Sequence, residues 1–406
     1  MYNCLIAQSG GPTSVINSSV VGLVDENKKS KTFENVYAGL NGIEGILNEN
    51  IINLSQCDEK KLNVFKLTPS SGLGSCRYKM KDFNKDESEY KRIFSIFNKL
   101  DIKAFFYIGG NDSMDTVSKL SEYAKNKNID VKIIGIPKTI DNDLPITDHT
   151  PGFGSAAKFI STVTLETYLD SSVYINNGIF ILETMGRDAG WLAASSCLAT
   201  LNKKPIVDFI YLPEVPFNEE KFIKDVEKKY KEQNHVYIVA SEGLKDNTGS
   251  FLSTLKTTGC HDNFGHAQLG GVGNYLKNLI LNKGITTRVK SLELGVLQRC
   301  AMHISSSTDV EEAYNAGAAA IKLYLKGSSG YMVAIKRLSG NLYNTEFFSV
   351  KACDVANNVK YVPKDFINAE GNGVNEKAYN YIKPLVSGNV ELFYENDLID
   401  YSIFTK

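Results

Sequence analysis

Short apolar runs alternate with amphipathic stretches along most of this chain, and the runs tend to end in Gly, Asn or Asp. That spacing predicts strands feeding helices across a largely parallel sheet. "NCLIAQ" (3–8) runs into "SGGPTSVIN" and then the helical pattern "SSVVGLVDENKK". "IKAFFYI" (102–108) runs into "GGNDSMDT" and the helix "VSKLSEYAKNK", and "VKIIGI" (131–136) runs into "PKTIDNDL". Ligands of doubly wound sheets bind outside the carboxyl ends of the strands, so these three loops are expected to line one crevice. A second series begins after the turn and long helix of "DHTPGFGSAAKFISTVTLETYLD", with strands in "NNGIFILETMGRDAGW", "VDFIYLPEVPF" and "HVYIVASEGL" (235–244). The expected fold class is therefore α/β: two doubly wound, mostly parallel, Rossmann-like units facing a cleft. From about Tyr343 the pattern is less regular, reading as a loop and one helix with no chemistry assigned.

Composition narrows the function classes. The chain has 406 residues and 43% apolar content, enough for two packed domains. Its 45 basic and 46 acidic residues are scattered, so no basic stripe points to nucleic acid and a small-molecule ligand is expected. The seven cysteines lie far apart without a C-x-x-C pair, which fits reduced thiols in a cytoplasmic protein. No segment has the ~20 apolar residues that would span a bilayer.

Two loops carry candidate chemistry. In "QSGGPTSVIN" (8–17), Gly10 and Gly11 stand between a strand and a helix start, where bare backbone N–H groups and a helix N-terminus can meet an anion. There is no Walker sequence and no full G-x-G-x-x-G, so that turn alone is equally well a structural one. "PKTIDNDL" (137–144) is more pointed, presenting Lys138, Thr139, Asp141 and Asp143 at one strand end. A carboxylate here can take a proton from a hydroxyl while the ammonium neutralises a transferring phosphoryl group, whereas the plain alternative is a helix cap in a surface turn. "YIGGNDSMDT" (107–116) poses a puzzle, because Asp112 puts a negative charge just beyond a phosphate-type turn. His261 and His266 read as structural rather than metal-binding, Trp191 and Cys76 as packing, and no G-x-S-x-G elbow exists for a serine nucleophile.

The ordered set "QSGGPTSVIN", "GSCRYK", "IGGNDSMDT", "PKTIDNDL", "LETMGRDAGW", "SEG" and "LGVLQR" resembles the phosphofructokinase family. The resemblance implies transfer of a phosphoryl group to the 1-hydroxyl of fructose 6-phosphate, giving fructose 1,6-bisphosphate, with Mg²⁺ as cofactor. It implies Asp141 as general base, helped by Asp143 and held beside Thr139 and Ile140. Met185, Gly186 and Arg187 would pack on the sugar phosphate, Glu242 would bind its hydroxyls, and Arg299 would grip its phosphate. Gly11, Arg77 and Gly110 would contact the donor. It also assigns residues 1–152 with about 298–345 to a donor-binding domain, and about 153–297 with 346–406 to a sugar-phosphate domain. A homodimer or homotetramer is expected.

Donor choice follows from two positions. ATP-using members of the family have a small residue where this chain has Asp112 and Gly where it has Lys138, whereas pyrophosphate-using members have the carboxylate and the lysine. The resemblance thus implies pyrophosphate as donor and phosphate as product, with Asp112 rejecting ATP. Some positions depart from the family pattern. Asn111 replaces an Asp near Mg²⁺, leaving Asn111 and Asp112 as candidate metal ligands; Gly178 replaces an Arg, and Val296 a His. Either Arg288 or Lys290 could supply a further sugar-phosphate cation. ATP as donor, another sugar phosphate as acceptor, and a catalytically silent regulatory subunit of the same fold stand as alternatives.

Overall fold

In the computed structural model, described over residues 2–252, 269–340 and 342–404, the chain folds around two sheets. The larger has seven strands in the order Thr345–Lys351, Tyr331–Arg337, Lys132–Pro137, Ile102–Gly109, Asn3–Gln8, Val36–Gly39 and Ile51–Asn53. Its inner strands pair in parallel, and the two outermost pair antiparallel with their neighbours. The smaller has four parallel strands in the order Val289–Glu293, Gly178–Thr184, His235–Ser241 and Phe209–Tyr211.

The inner strands of both sheets are covered on both faces, which is why they read as nearly continuous apolar runs. Side chains alternate across a strand. Leu5, Ala7, Phe105 and Tyr107 therefore pack on Ile93, Phe94, Met114 and Val117 of one helical layer, while Cys4, Ile6, Phe106 and Ile108 pack on Ile16, Val20, Ala316 and Ala320 of the other. In the smaller sheet Phe180, Leu182, Tyr237 and Val239 meet Phe153, Ala157 and Ile160, and Ile179, Ile181, Val236 and Ile238 meet Phe222, Val272 and Leu276. The doubly wound α/β class expected from the pattern is the one adopted.

The division of the chain between the sheets differs from the expected boundaries in three places. Thr345–Lys351 is an edge strand of the larger sheet, and Ala352, Val355 and Ala356 pack in that sheet's core, so residues 346–356 belong with the larger sheet. Ala301 packs in the smaller sheet's core although it was expected on the other side. Val359, Val362, Phe366 and Tyr381 join the smaller sheet's core, but the chain then returns: Phe404 packs among the larger sheet's helices and its N–H donates to the Gly72 carbonyl at 2.8 Å. The tail is thus a strap crossing between both units. His261 and His266 lie outside the described residues.

Candidate active site

The carboxyl ends of the larger sheet's strands form interlocked turns. Gly10 has a left-handed φ of +73°, its N–H donates to the Cys76 carbonyl at 3.0 Å, and Ser75 Oγ donates to the Gly10 carbonyl at 2.7 Å. These bonds draw the 75–77 segment, with Arg77, onto the glycine pair. Ser9 Oγ donates to the Ile108 carbonyl and lies 2.6 Å from Ser113 Oγ, joining the first turn to the second. Gly110 then caps the helix Asn111–Asn126, which puts Asp112 in its first turn. An acid is favourable beside the positive end of a helix, so Asp112 supports its own helix while holding its charge toward the cleft.

Lys138 ties the turns together. Its N–H donates to the Gly109 carbonyl at 3.0 Å, and its buried Nζ donates to the Gly11 carbonyl at 2.6 Å. Burial pushes the ammonium down to about 8, with Asp141 pulling the other way. The Asp141 N–H donates to Thr139 Oγ1 at 3.1 Å, and Asn142 takes a left-handed φ of +53° to turn the loop. On the return leg, Thr150 Oγ1 donates to the Thr139 carbonyl, and Asp309, from the helix Ser307–Leu325, accepts from the N–H groups of Gly152 and Ser155, all at 2.9 Å. Burial raises Asp141 and Asp143 above the usual carboxylate range; the neighbouring Asp141 charge raises Asp143 further, and Lys138 pulls Asp141 back.

The smaller sheet supplies the opposite wall. After Gly178–Thr184, Gly186 adopts φ +129° and its N–H donates to Glu242 Oε1 at 3.3 Å. Gly243 has to be glycine, since a Cβ there would lie 2.0 Å from the Arg187 carbonyl oxygen. Burial, then the Asp141 charge, pushes Glu242 up to about 7. Gln298 Oε1 accepts from the Met185 N–H at 3.2 Å and orients the short helix Gly295–Arg299. The Arg299 guanidinium reaches across to the first turn, its Nη1 3.1 Å from where a Cβ on Gly11 would stand. Burial and the nearby Arg77 both push Arg299 down, and a bound anion would relieve that repulsion.

These groups enclose a cleft of about 410 Å³. Of the residues singled out in the sequence, Gly11, Arg77, Gly110, Asn111, Asp112 and Lys138 line it. Thr139, Ile140, Asp141, Asp143, Met185, Arg187, Glu242 and Arg299 also line it, with Gly186 bonded behind Glu242. Arg288 and Lys290 are not brought there. They border a separate hollow with Tyr174 and Asn177, the Arg288 guanidinium 4.7 Å from the Tyr174 ring centroid and Lys290 Nζ 3.6 Å from Asp170. Within one chain, therefore, neither reaches the cleft.

Sequence reasoning passed over Ser113, Asp188, Asn357 and Val359, which also line the cleft. Asp188 follows Arg187 directly and was findable from its place in "GRDAG"; Asn357 and Val359 carry no local signal. Asn111, expected as a candidate metal ligand, instead spends its amide on the backbone of Asn357 and Asn358. Among the described residues no group of three or more His, Cys, Asp or Glu is placed to hold a metal ion.

The model of the family described as "Phosphofructokinase" matches residues 3–324. The chain belongs to the phosphofructokinase family. It is 40% identical over 98% of its length to a pyrophosphate-fructose 6-phosphate 1-phosphotransferase of Halomonas elongata, covering 94% of that protein. It is 39% identical, again over 98%, to the protein of the same name from Methylococcus capsulatus, covering 95% of it. Among solved structures, a pyrophosphate-dependent phosphofructokinase from Nitrosospira multiformis superposes with a TM-score of 0.87 at 36% identity, covering 98% of this chain and 95% of that one. This phosphofructokinase-family chain thus shares its fold with that enzyme.

Proposed function

We propose that this phosphofructokinase-family protein is a pyrophosphate-dependent phosphotransferase that reversibly converts fructose 6-phosphate and pyrophosphate to fructose 1,6-bisphosphate and phosphate. The observation that carries the donor reading is Lys138, buried and bonded to Gly11, in the same turn cluster as Asp112. A short polyanion without a nucleoside needs such a fixed cation, and the carboxylate crowds the space of a longer donor.

Asp141 takes the proton of the sugar 1-hydroxyl as its oxygen attacks the terminal phosphorus of pyrophosphate. The bridging P–O bond breaks, and phosphate leaves with the bond's electron pair. Lys138 and Arg77 neutralise the transferring group and the leaving oxygen. Arg187, Arg299, Met185 and Glu242 hold the sugar phosphate. Mg²⁺ fits this cleft as an ion held by Asp112 and donor oxygens, a mode magnesium commonly uses; the Asn111 amide is engaged with the backbone of Asn357 and Asn358, and among the described residues no three His, Cys, Asp or Glu are placed as a ready-made ligand set. When bound it would supply positive charge against the donor's oxygens. Among the described residues no helix is long and apolar enough to cross a membrane, and we place the reaction in the cytoplasm.

We further place Arg288 and Lys290 at a contact between copies in a homo-oligomer, reaching the sugar phosphate of the neighbouring subunit. Their hollow adjoins Val173, Tyr174 and Ile175, which are 68%, 56% and 94% exposed in the single chain, an apolar edge that a second copy would cover.

Parallel assays with pyrophosphate or ATP as sole donor test the reading. Bisphosphate should form with pyrophosphate alone and revert on adding phosphate. Joint replacement Asp112→Gly and Lys138→Gly should cut pyrophosphate use and open ATP use; wild-type activity with ATP alone would overturn the donor assignment while sparing the Asp141 chemistry.

A further inference from the structure

The tail from Asn357 to Lys360 runs along the cleft and is fastened at both ends. At one end, the Asn111 amide oxygen accepts from the Asn357 N–H, and the same amide's nitrogen donates to the Asn358 carbonyl. At the other, the Lys360 N–H donates to the Asp143 carbonyl at 2.7 Å. The Lys360 ammonium donates to Asn142 Oδ1 at 3.1 Å and to the carbonyls of Thr147 and Asp148 at 3.3 and 2.8 Å. The Lys360 carbonyl in turn accepts from Trp191 Nε1 at 2.9 Å. Between these fastenings, Asn357 and Val359 face the cleft.

Only a carboxamide can make the Asn111 contact. It accepts from one backbone group and donates to the next, as a neighbouring strand would, whereas a carboxylate has no donor and would face the Asn358 carbonyl with its charge. From this geometry, and resting on the function proposed above, we infer that Asn111 and Lys360 are paired positioning residues. Together they clip the 357–360 strap so that the donor turn and the Asp141–Asp143 turn are held in one fixed relation. Asn111 is a clip for that strap, and its replacement by Asp would loosen the cleft rather than improve metal binding.

The test compares Asn111→Ala, Asn111→Asp, Lys360→Met and the Asn111→Ala/Lys360→Met double variant, each first checked for a cooperative melt. Hydrogen exchange on the substrate-free protein reads the strap directly: Asn111→Ala should raise exchange in a peptide covering 354–361, whether or not the protein turns out to use pyrophosphate. In turnover, Asn111→Ala should lower kcat by roughly 10- to 100-fold, the scale of an ångström-level misplacement, with half-saturating Mg²⁺ unchanged. Since both residues act through one strap, the double variant should be little worse than the poorer single variant. Protection unchanged in Asn111→Ala, a several-fold rise in its Mg²⁺ requirement, or fully multiplicative losses in the double variant would each overturn the inference. If Lys360→Met fails to melt cooperatively, the exchange and Mg²⁺ results for the Asn111 variants decide alone.

Discussion

At the scale of single residues, Lys138, Asp141, Asp143, Glu242 and Arg299 are held away from their ordinary values in the cleft, and pH should expose them. Lys138 loses its proton near 8 in the free protein, so kcat/KM for pyrophosphate should fall above that pH as the donor's fixed cation disappears. Lys138→Arg keeps a charge throughout that range. Whatever activity it retains should show no such alkaline limb, and an unchanged limb would mean another group sets it. Glu242 gives a stability signal instead. Its carboxyl is raised from 4.5 to about 7, chiefly by burial, so the folded protein binds a proton that the unfolded chain has released. That contribution is complete below 4.5 and is lost as pH rises through 7. Glu242→Gln should therefore melt higher than wild type at pH 8, by an amount that shrinks toward pH 5; a gap independent of pH would remove the titration argument. Asp141 and Asp143 shift in the same direction, so the pH slope should be reduced in this variant without vanishing.

At the scale of elements, one contact stands out for its closeness. The helices Ile16–Ser30 and Ser307–Leu325 touch through backbone: a Cβ on Gly22 would lie 1.9 Å from the Tyr314 carbonyl oxygen, and one on Gly317 would lie 1.9 Å from that of Ser19. Neither glycine has a positive φ, so added bulk, rather than backbone strain, sets the cost. Gly22→Ala should destabilise by about 1–3 kcal/mol, the usual range for overpacking, read as a lowered denaturant midpoint. Adding Gly317→Ala should cost less than its own single effect, since the helices are already apart. The same scale shows what the sequence discloses. Strands such as Ile102–Gly109 announce themselves because both faces are buried and the run is unbroken, and the glycines that follow place the turns. The edge strand Thr345–Lys351 does not, because "TEFFSVK" is only partly covered and mixes polar with apolar positions without a clean period. The strap is less legible still. Its bonds to Asn111 join that side chain to backbone groups 246 and 247 residues away, and no local pattern encodes a partner so distant.

At the scale of the whole molecule, the positions of Arg288 and Lys290 turn a motif into a question of assembly. The family resemblance offers one or the other as a cation for a sugar phosphate, but a motif gives no direction, and the fold carries both to a hollow away from Asp141. If they act, they act on another subunit's cleft. Two defective variants can then repair one another. Asp141→Asn removes the base and Arg288→Ala/Lys290→Ala removes the borrowed cations, so each homodimer should be nearly inactive. In a hybrid dimer, one cleft combines both defects, while the other takes its base from the second variant and its cations from the first, and is intact. Random mixing at equal concentrations makes half of the dimers hybrid, each with one of its two sites restored, so activity should recover to about a quarter of wild type. No recovery after verified subunit exchange would mean that base and cations belong to the same subunit or that the cations serve no cleft. Full activity of Arg288→Ala/Lys290→Ala by itself would remove both residues from the reaction and leave Arg187 and Arg299 as the sugar-phosphate cations of a site complete within one chain.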